Sequence, residues 1–126
     1  MTASRRVVRL KEDAAGESHF DDYEITLEVS DFAPPAPSLL VSSVGDASGY
    51  VVVRLPVGWV GERHPSPHRQ ILFCLSGELK VTASDGEIRM VKTGSAWLMA
   101  DTRGKGHETE VVSDEPCDAA IILLND

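Results

Sequence analysis

Positive charge is scarce in this sequence. Its 12 lysine and arginine residues stand against 20 aspartate and glutamate residues, which gives a net charge of −8 with histidine neutral. A surface of this sign repels phosphate backbones and anionic lipid. The one basic run, residues 5–11, is short and acidic residues follow it from Glu12 onward, so we predict a solvated edge strand there. We therefore expect no nucleic-acid partner and no membrane partner.

Cysteines and long apolar runs are also few. Cys74 and Cys117 are too few for a disulfide framework, and each lies in an apolar stretch, so we expect buried, unreactive thiols. No run approaches the length of a membrane span, and the chain does not start with an apolar signal segment. From these absences we expect a cytoplasmic protein.

Helical periodicity is nearly missing, and short runs rich in β-branched residues take its place. The 126 residues correspond to one domain, 1–126, with N-terminal strands within 5–44 and a barrel core within 50–124. About nine or ten strands at regular spacing predict an all-β sandwich or barrel, and a closed jelly roll avoids exposed edges. The predicted strands are 7–10, 23–29, 39–44, 50–55, 70–75, 78–83, 87–91, 95–99, 107–112 and 117–124.

One hairpin is predicted by its turn. Asp85-Gly86 separates two alternating runs, and glycine accepts the positive φ that a tight turn requires. The alternation predicts that Leu79, Val81, Ile88 and Met90 share one face of this hairpin, and that Lys80, Thr82, Glu87 and Arg89 share the other. By contrast, we predict a loop for residues 56–67, which are rich in proline and glycine.

The histidines lie at informative spacings. Gly58 precedes His64 by a gap of five residues, Gln70 precedes Gly77 by a gap of six, and Gly104 precedes His107 by a gap of two. These spacings resemble the two motifs of the cupins, in which a glycine leads to a His-x-His pair, a glutamate and a second glycine, and a Pro-x-Gly leads to a further histidine. The resemblance covers residues 58–107 and implies a cupin-type jelly-roll β-barrel.

The departures from those motifs concern the metal ligands. In metal-binding cupins the ligands are both residues of the His-x-His pair, the glutamate and the later histidine. At these positions this chain has His64, Ser66, Gln70 and His107, so two of the four ligands are replaced. His68 could serve as a third ligand, because in an extended strand it would share a face with His64 and Gln70. The resemblance therefore implies a divalent ion (Fe, Ni, Mn or Zn) at His64, His107, His68 and Gln70, but a metal-free pocket stays equally open.

Two classes of function remain open. The first is an enzyme acting on a small molecule inside the barrel, with His64, His107 and Gln70 as catalytic candidates in metal-assisted or acid–base isomerase, cyclase, decarboxylase or oxygenase chemistry. The second is a non-catalytic ligand-binding or sensory module with a vestigial metal site. The histidines could also be structural, bonded to each other or to Gln70, and Trp59 and Trp97 are expected in the core or the pocket wall. The resemblance further implies a homodimer.

Overall fold

The computed structural model describes residues 2–125, which form eleven strands and no helix. Within these residues there is accordingly no helix long and apolar enough to cross a membrane. The strands are β1 Thr2–Glu12, β2 Ser18–Ser30, β3 Leu39–Val41, β4 Ala47–Leu55, β5 Val60–His64, β6 Gln70–Ser76, β7 Glu78–Ala83, β8 Ile88–Lys92, β9 Ala96–Ala100, β10 His107–Val111 and β11 Cys117–Leu124.

The strands build two sheets that enclose one main core. The larger sheet has seven strands in the order β3-β2-β1-β9-β6-β11-β4, and the smaller has four in the order β5-β10-β7-β8. Side chains from both sheets meet between them, among them Leu10 and Trp97 from the larger sheet and Leu79 and Val81 from the smaller. The prediction of an all-β jelly roll is confirmed.

The basic run 5–11, predicted as a solvated edge strand, is an edge only in its first part. It belongs to β1, which pairs with β2 along its whole length and, in parallel, with β9 over residues 8–11. Arg9 and Lys11 bind the carboxylate of Asp21 on β2, and the Arg9 guanidinium lowers the pKa of that carboxyl to about 2. The prediction was wrong for residues 8–11 because a parallel partner more than 80 residues away leaves no local signal in β1.

The predicted hairpin of β7 and β8 forms, but its two faces were assigned wrongly. Leu79 lies opposite Val91 and Thr82 lies opposite Ile88. Ile88 and Met90 are therefore on the outer face and are largely exposed, while Val91 points into the core. The loop between the two strands has three residues, 84–86, and the amide of Ala83 donates to the carbonyl of Glu87 across its ends. A two-residue turn would have paired Ser84 with Glu87. The extra loop residue shifts the strand register by one position, and such a shift turns every side chain of a strand to the other face.

Part of the predicted loop 56–67 is the strand β5, which pairs with β10. Its charged residues and the nearby prolines obscured the alternation. The two thiols agree with expectation: Cys74 and Cys117 are buried and free, 3.8 Å apart between their Sγ atoms. Burial raises the pKa of both, that of Cys117 to about 12.

Candidate functional site

A cavity of about 310 Å³ opens between the two sheets, beside their edge strands β4 and β5. Eight of its twelve lining side chains are apolar, namely Val53, Leu55, Trp59, Leu72, Leu79, Trp97, Met99 and Ile121. The polar ones are Arg54, His64, His107 and Thr109. Both tryptophans therefore belong to the pocket wall, as their sequence context predicted.

His64 and His107 are held side by side by the pairing of β5 with β10. They are direct partners in the antiparallel register, and their ring centroids are 5.1 Å apart at an interplanar angle of 48°. Gly106 makes this approach possible. It has a φ of 74°, and a Cβ atom there would lie 2.1 Å from the backbone carbonyl of His64. Any larger residue at position 106 would force β5 and β10 apart.

Asp101 orients the ring of His107. Its Oδ2 lies 2.6 Å from Nδ1 of His107, and the two side chains are only 0% and 1% exposed. The other oxygen, Oδ1, accepts the hydroxyl of Ser66 at 2.8 Å. Because a carboxylate accepts hydrogen bonds and does not donate them, Nδ1 of His107 carries the proton. The unprotonated nitrogen of the neutral ring is then Nε2, on the cavity side.

His64 is oriented in the same sense by the backbone. Its Nδ1 lies 2.6 Å from the carbonyl oxygen of Glu62, which can only accept. The Nδ1 of His64 therefore also donates, and its Nε2 is left for the cavity. Trp97 stands edge-on to His107, with ring centroids 5.1 Å apart. The structure thus brings together two imidazoles whose free nitrogens are both Nε2.

The two other residues expected at the site lie in different surroundings. Gln70 is buried, but its amide donates to the Sδ of Met99 at 3.4 Å. His68 is exposed, and its Nε2 donates to the carbonyl of Leu124 at 3.2 Å. Neither side chain lines the cavity in this structure. The histidines bond neither to each other nor to Gln70, in contrast to the structural alternative considered from the sequence.

Asp101 and Ser66 are site residues that the sequence did not reveal. Ser66 had been noted only as the replacement of a metal-binding histidine. In the structure its backbone amide also donates to the backbone carbonyl of Asp101 at 2.9 Å, so Ser66 holds both the backbone and the side chain of Asp101. A local signal existed for Asp101, because a lone carboxylate directly after the fully apolar segment 96–100 is in a position to be buried.

The donor set does not fit a resident metal ion of the cupin kind. Residues 2–125 contain no group of three histidine, cysteine, aspartate or glutamate side chains placed to hold a metal. The nearest carboxylate, Asp101, is already used by His107 and Ser66. Two imidazoles without a carboxylate fall short of the ligand set that non-haem iron requires. We therefore derive no chemical step through a metal, and the ligand set inferred from the resemblance stays a prediction.

A polar network outside the cavity ties down the loop that carries His107. The hydroxyl of Ser18 donates to the carbonyl of Gly106 at 2.6 Å and accepts the amide of Ser84 at 2.7 Å. Next to it, His19 bridges Asp13 at 2.7 Å and Asp85 at 2.9 Å. Hydrogen bonds donated by the ring to these two carboxylates raise the pKa of His19. We call these six residues (Asp13, Ser18, His19, Ser84, Asp85 and Gly106) the loop network.

Comparison with known proteins places the chain in a family. Residues 51–123 match the cupin domain. Similar solved structures include a Cupin 2 conserved barrel domain protein from Salinispora arenicola, 17% identical over 79% of this chain and 76% of that chain with a TM-score of 0.51. Another is the cupin domain of Cnp3 from Schizosaccharomyces pombe, 13% identical over 99% and 88% with a TM-score of 0.52. At these identities the structures show the fold alone, and no curated protein matches. Because the family match spans more than half of the sequence, the chain belongs to the cupin family.

Proposed function

We propose that the protein is an enzyme that binds a small organic molecule in the cavity and moves a proton on it with His107 as the base. The observation that carries this proposal is the buried pair of Asp101 and His107, 2.6 Å apart, next to the cavity that His107 lines. A base held by a third group and turned toward a pocket is the recurring arrangement of proton-transfer sites.

The cavity supports a small ligand of mostly apolar character. Its volume of about 310 Å³ is at the lower end of the range of roughly 300–1,000 Å³ that is usual for ligand pockets. Apolar walls with a few polar groups at one place are also usual, because the walls supply binding and the polar groups fix orientation. Here the polar groups are Arg54, His64, His107 and Thr109.

The residues divide into two roles in this proposal. His107 removes a proton from the ligand through Nε2, and Asp101 stabilises the imidazolium that forms. In an isomerisation the His107 imidazolium then returns that proton at a second position of the ligand, while His64, with its ring 5.1 Å from that of His107, accepts a hydrogen bond from the ligand. Isomerisation fits best among the reaction types considered, since it needs two proton transfers and no oxidant. Gln70 holds Met99 in the cavity wall and has no direct part.

The experiment has a binding step and a turnover step. A library of small acids, sugars, phenols and cyclic ketones is screened by thermal shift, and each compound that binds is incubated with the protein in D2O. Proton NMR should show deuterium incorporation or conversion that His107→Phe abolishes. His68→Ala should behave as wild type, because His68 is hydrogen-bonded to the carbonyl of Leu124 and does not line the cavity. Compounds that exchange equally fast with wild type and His107→Phe would contradict the proposal.

A second candidate function is a non-catalytic ligand-binding or sensory module. It is favoured by the lack of a third metal-ligating side chain at the two histidines within the described residues. It predicts compounds that stabilise the protein without exchange or conversion. The same two-step experiment separates it from the enzyme.

The homodimer is also part of the proposal. Across β4, β11 and β6, Val52, Ala120 and Phe73 lie in one row on the face opposite the core, and Val52 and Phe73 are 68% and 40% exposed. An apolar row of this kind supports contact with a second copy. Light scattering should give twice the chain mass, and Val52→Lys should reduce it; a monomeric wild type would contradict the dimer. The cytoplasmic location stays a prediction.

A further inference from the structure

We infer that the cavity takes a small aromatic molecule carrying a hydroxyl group, which donates its hydrogen to the Nε2 of His107. This inference rests on the proposed function and names the class of its ligand. It distinguishes a phenol-like molecule from an apolar molecule without a hydroxyl, from a carboxylate and from a sugar.

The hydrogen-bonding state of the imidazoles selects for a donor. Nδ1 of His107 donates to Asp101 and Nδ1 of His64 donates to the carbonyl of Glu62. In the neutral ring only one nitrogen carries a proton, so both Nε2 atoms are acceptors. A ligand group that can only accept, such as a carbonyl or an ether, finds no partner on these two side chains. A hydroxyl finds one.

The charges around the cavity disfavour an anion. Arg54 is the one cationic side chain among the described lining residues, and its guanidinium is bound to both carboxylate oxygens of Asp118, at 2.7 and 2.9 Å. The buried carboxylate of Asp101 lies directly behind His107. A bound carboxylate or phosphate would therefore enter next to a negative charge, in a protein whose net charge is already −8.

The walls favour an aromatic body. Trp59 and Trp97 both line the cavity, together with Leu72, Leu79 and Met99. Aromatic rings pack well against such side chains and gain more than their area alone would give. A sugar would bring several hydroxyls into a wall that offers few partners, and each unpaired polar group would cost binding free energy.

Three probes that differ at one position test the ligand class: p-cresol, toluene and p-toluate. Calorimetric titration of the wild-type protein at pH 8 should show p-cresol binding about tenfold more tightly than toluene, the gain of one hydrogen bond, and p-toluate more weakly still. If toluene binds as tightly as p-cresol, or p-toluate binds most tightly, the inference is overturned while ligand binding in the cavity stands. If none of the probes binds, the inference is overturned and the proposed function loses its support in this assay.

Asp101→Asn tests the role of His107 directly. Ser66 would still donate its hydroxyl hydrogen to Oδ1 of the new amide. The NH2 group of that amide would therefore face Nδ1 of His107 and would force the ring proton onto Nε2. The acceptor becomes a donor. We expect the preference for p-cresol over toluene to disappear, and p-tolualdehyde, which only accepts, to gain about tenfold in affinity relative to p-cresol. An unchanged order of the probes would overturn the inference.

His107→Phe provides a second variant, should Asp101→Asn fail to fold as judged by thermal unfolding. It removes the acceptor and keeps an aromatic ring in its place, so the preference for p-cresol over toluene should disappear, whereas His68→Ala, at a residue bonded to the Leu124 carbonyl, should keep it. A preference that persists in His107→Phe would overturn the inference.

Discussion

At the scale of single residues, Asp101 decides what His107 can do. The aspartate is fully buried, and its two oxygens are used by His107 and Ser66. It therefore sets both the tautomer and the orientation of the ring, although it lies outside the spacing motifs that identified His64 and His107. The chemistry of the cavity depends on this residue as much as on the histidines.

Asp101→Asn should lower the free energy of unfolding by about 1–2 kcal/mol, because a hydrogen bond to a charged group is replaced by a neutral one from the amide to Nδ1 of His107. The amide keeps the shape of the carboxylate but loses its charge. Urea unfolding measures the change. Ser66→Ala is the matched control, because it removes a hydrogen bond from the other oxygen and leaves His107 in place, and it should cost about 1 kcal/mol. A larger loss for Ser66→Ala than for Asp101→Asn would contradict this account.

The two histidines and the two tryptophans could be predicted from the sequence because spacing and residue type are local. Asp101 could not be assigned, since its partner Ser66 is 35 residues away. The position of His68 was also beyond sequence reasoning. The parity that placed it beside His64 assumes a regular strand through residue 68, whereas β5 ends at His64 and the ring turns to Leu124.

At the scale of strands and loops, the approach of β5 to β10 depends on Gly106. We expect Gly106→Ala to destabilise the protein and to abolish ligand binding, because its Cβ would lie 2.1 Å from the backbone of His64. Gly86→Ala is the control: Gly86 also has a positive φ, 95°, but nothing lies within 4 Å of the added atom.

The difference between these two variants isolates the close approach from backbone strain. Gly86→Ala should cost about 1–2 kcal/mol for the φ alone, and Gly106→Ala at least about 2 kcal/mol more, as measured by urea unfolding. Equal losses in the two variants would show that the packing of Gly106 against His64 is not tight in solution.

The loop network should make stability depend on pH. Both nitrogens of His19 face carboxylates, which raises its folded pKa above the ordinary 6.5. Its contribution is therefore fully present below about pH 6.5 and is lost as the pH rises through the folded pKa. The stability difference between wild type and His19→Gln should shrink between about pH 6 and pH 9 in urea unfolding. A difference that is constant or grows over this range would contradict the geometry of His19 between Asp13 and Asp85.

Strand positions were easier to predict than strand partners. The turn at Asp85-Gly86 identified the hairpin, yet its faces were reversed because the register depends on one residue of loop length. β5 was missed because it is a short, charged strand with Gly61 inside it and Pro65 directly after it, and its existence depends on pairing with β10. Neither outcome is encoded in the local alternation of the segment.

At the scale of the whole molecule, the cavity exists because the two sheets are not hydrogen-bonded to each other at β4 and β5. Both are edge strands, and side chains from both line the opening. The jelly roll thus supplies an apolar interior with one polar place, where β5 and β10 bring the histidines together. The fold is that of the cupin family, and in this chain the carboxylate beside the histidine pair, Asp101, is bound to His107 and Ser66.

The amount of metal that the purified protein contains is predicted from the ligands at the histidine pair. Protein purified without chelator or histidine tag should contain much less than one equivalent of iron, nickel, manganese or zinc by mass spectrometry, because the described residues offer two imidazoles and no third ligand at the site. The His64→Ala variant serves as the control and should have the same content. A near-stoichiometric metal in wild type that is lost in the variant would restore the ligand set implied by the cupin motifs.

The most direct test of the central claim is a two-bond proton–nitrogen NMR spectrum of the histidine rings with and without p-cresol. The account predicts that Nδ1 carries the proton in both His64 and His107, and that p-cresol shifts Nε2 of His107 while the rings of His19 and His68 stay unchanged. A His107 ring protonated at Nε2, or one that does not respond to a bound ligand, would contradict the claim that Asp101 turns this histidine into the acceptor of the cavity.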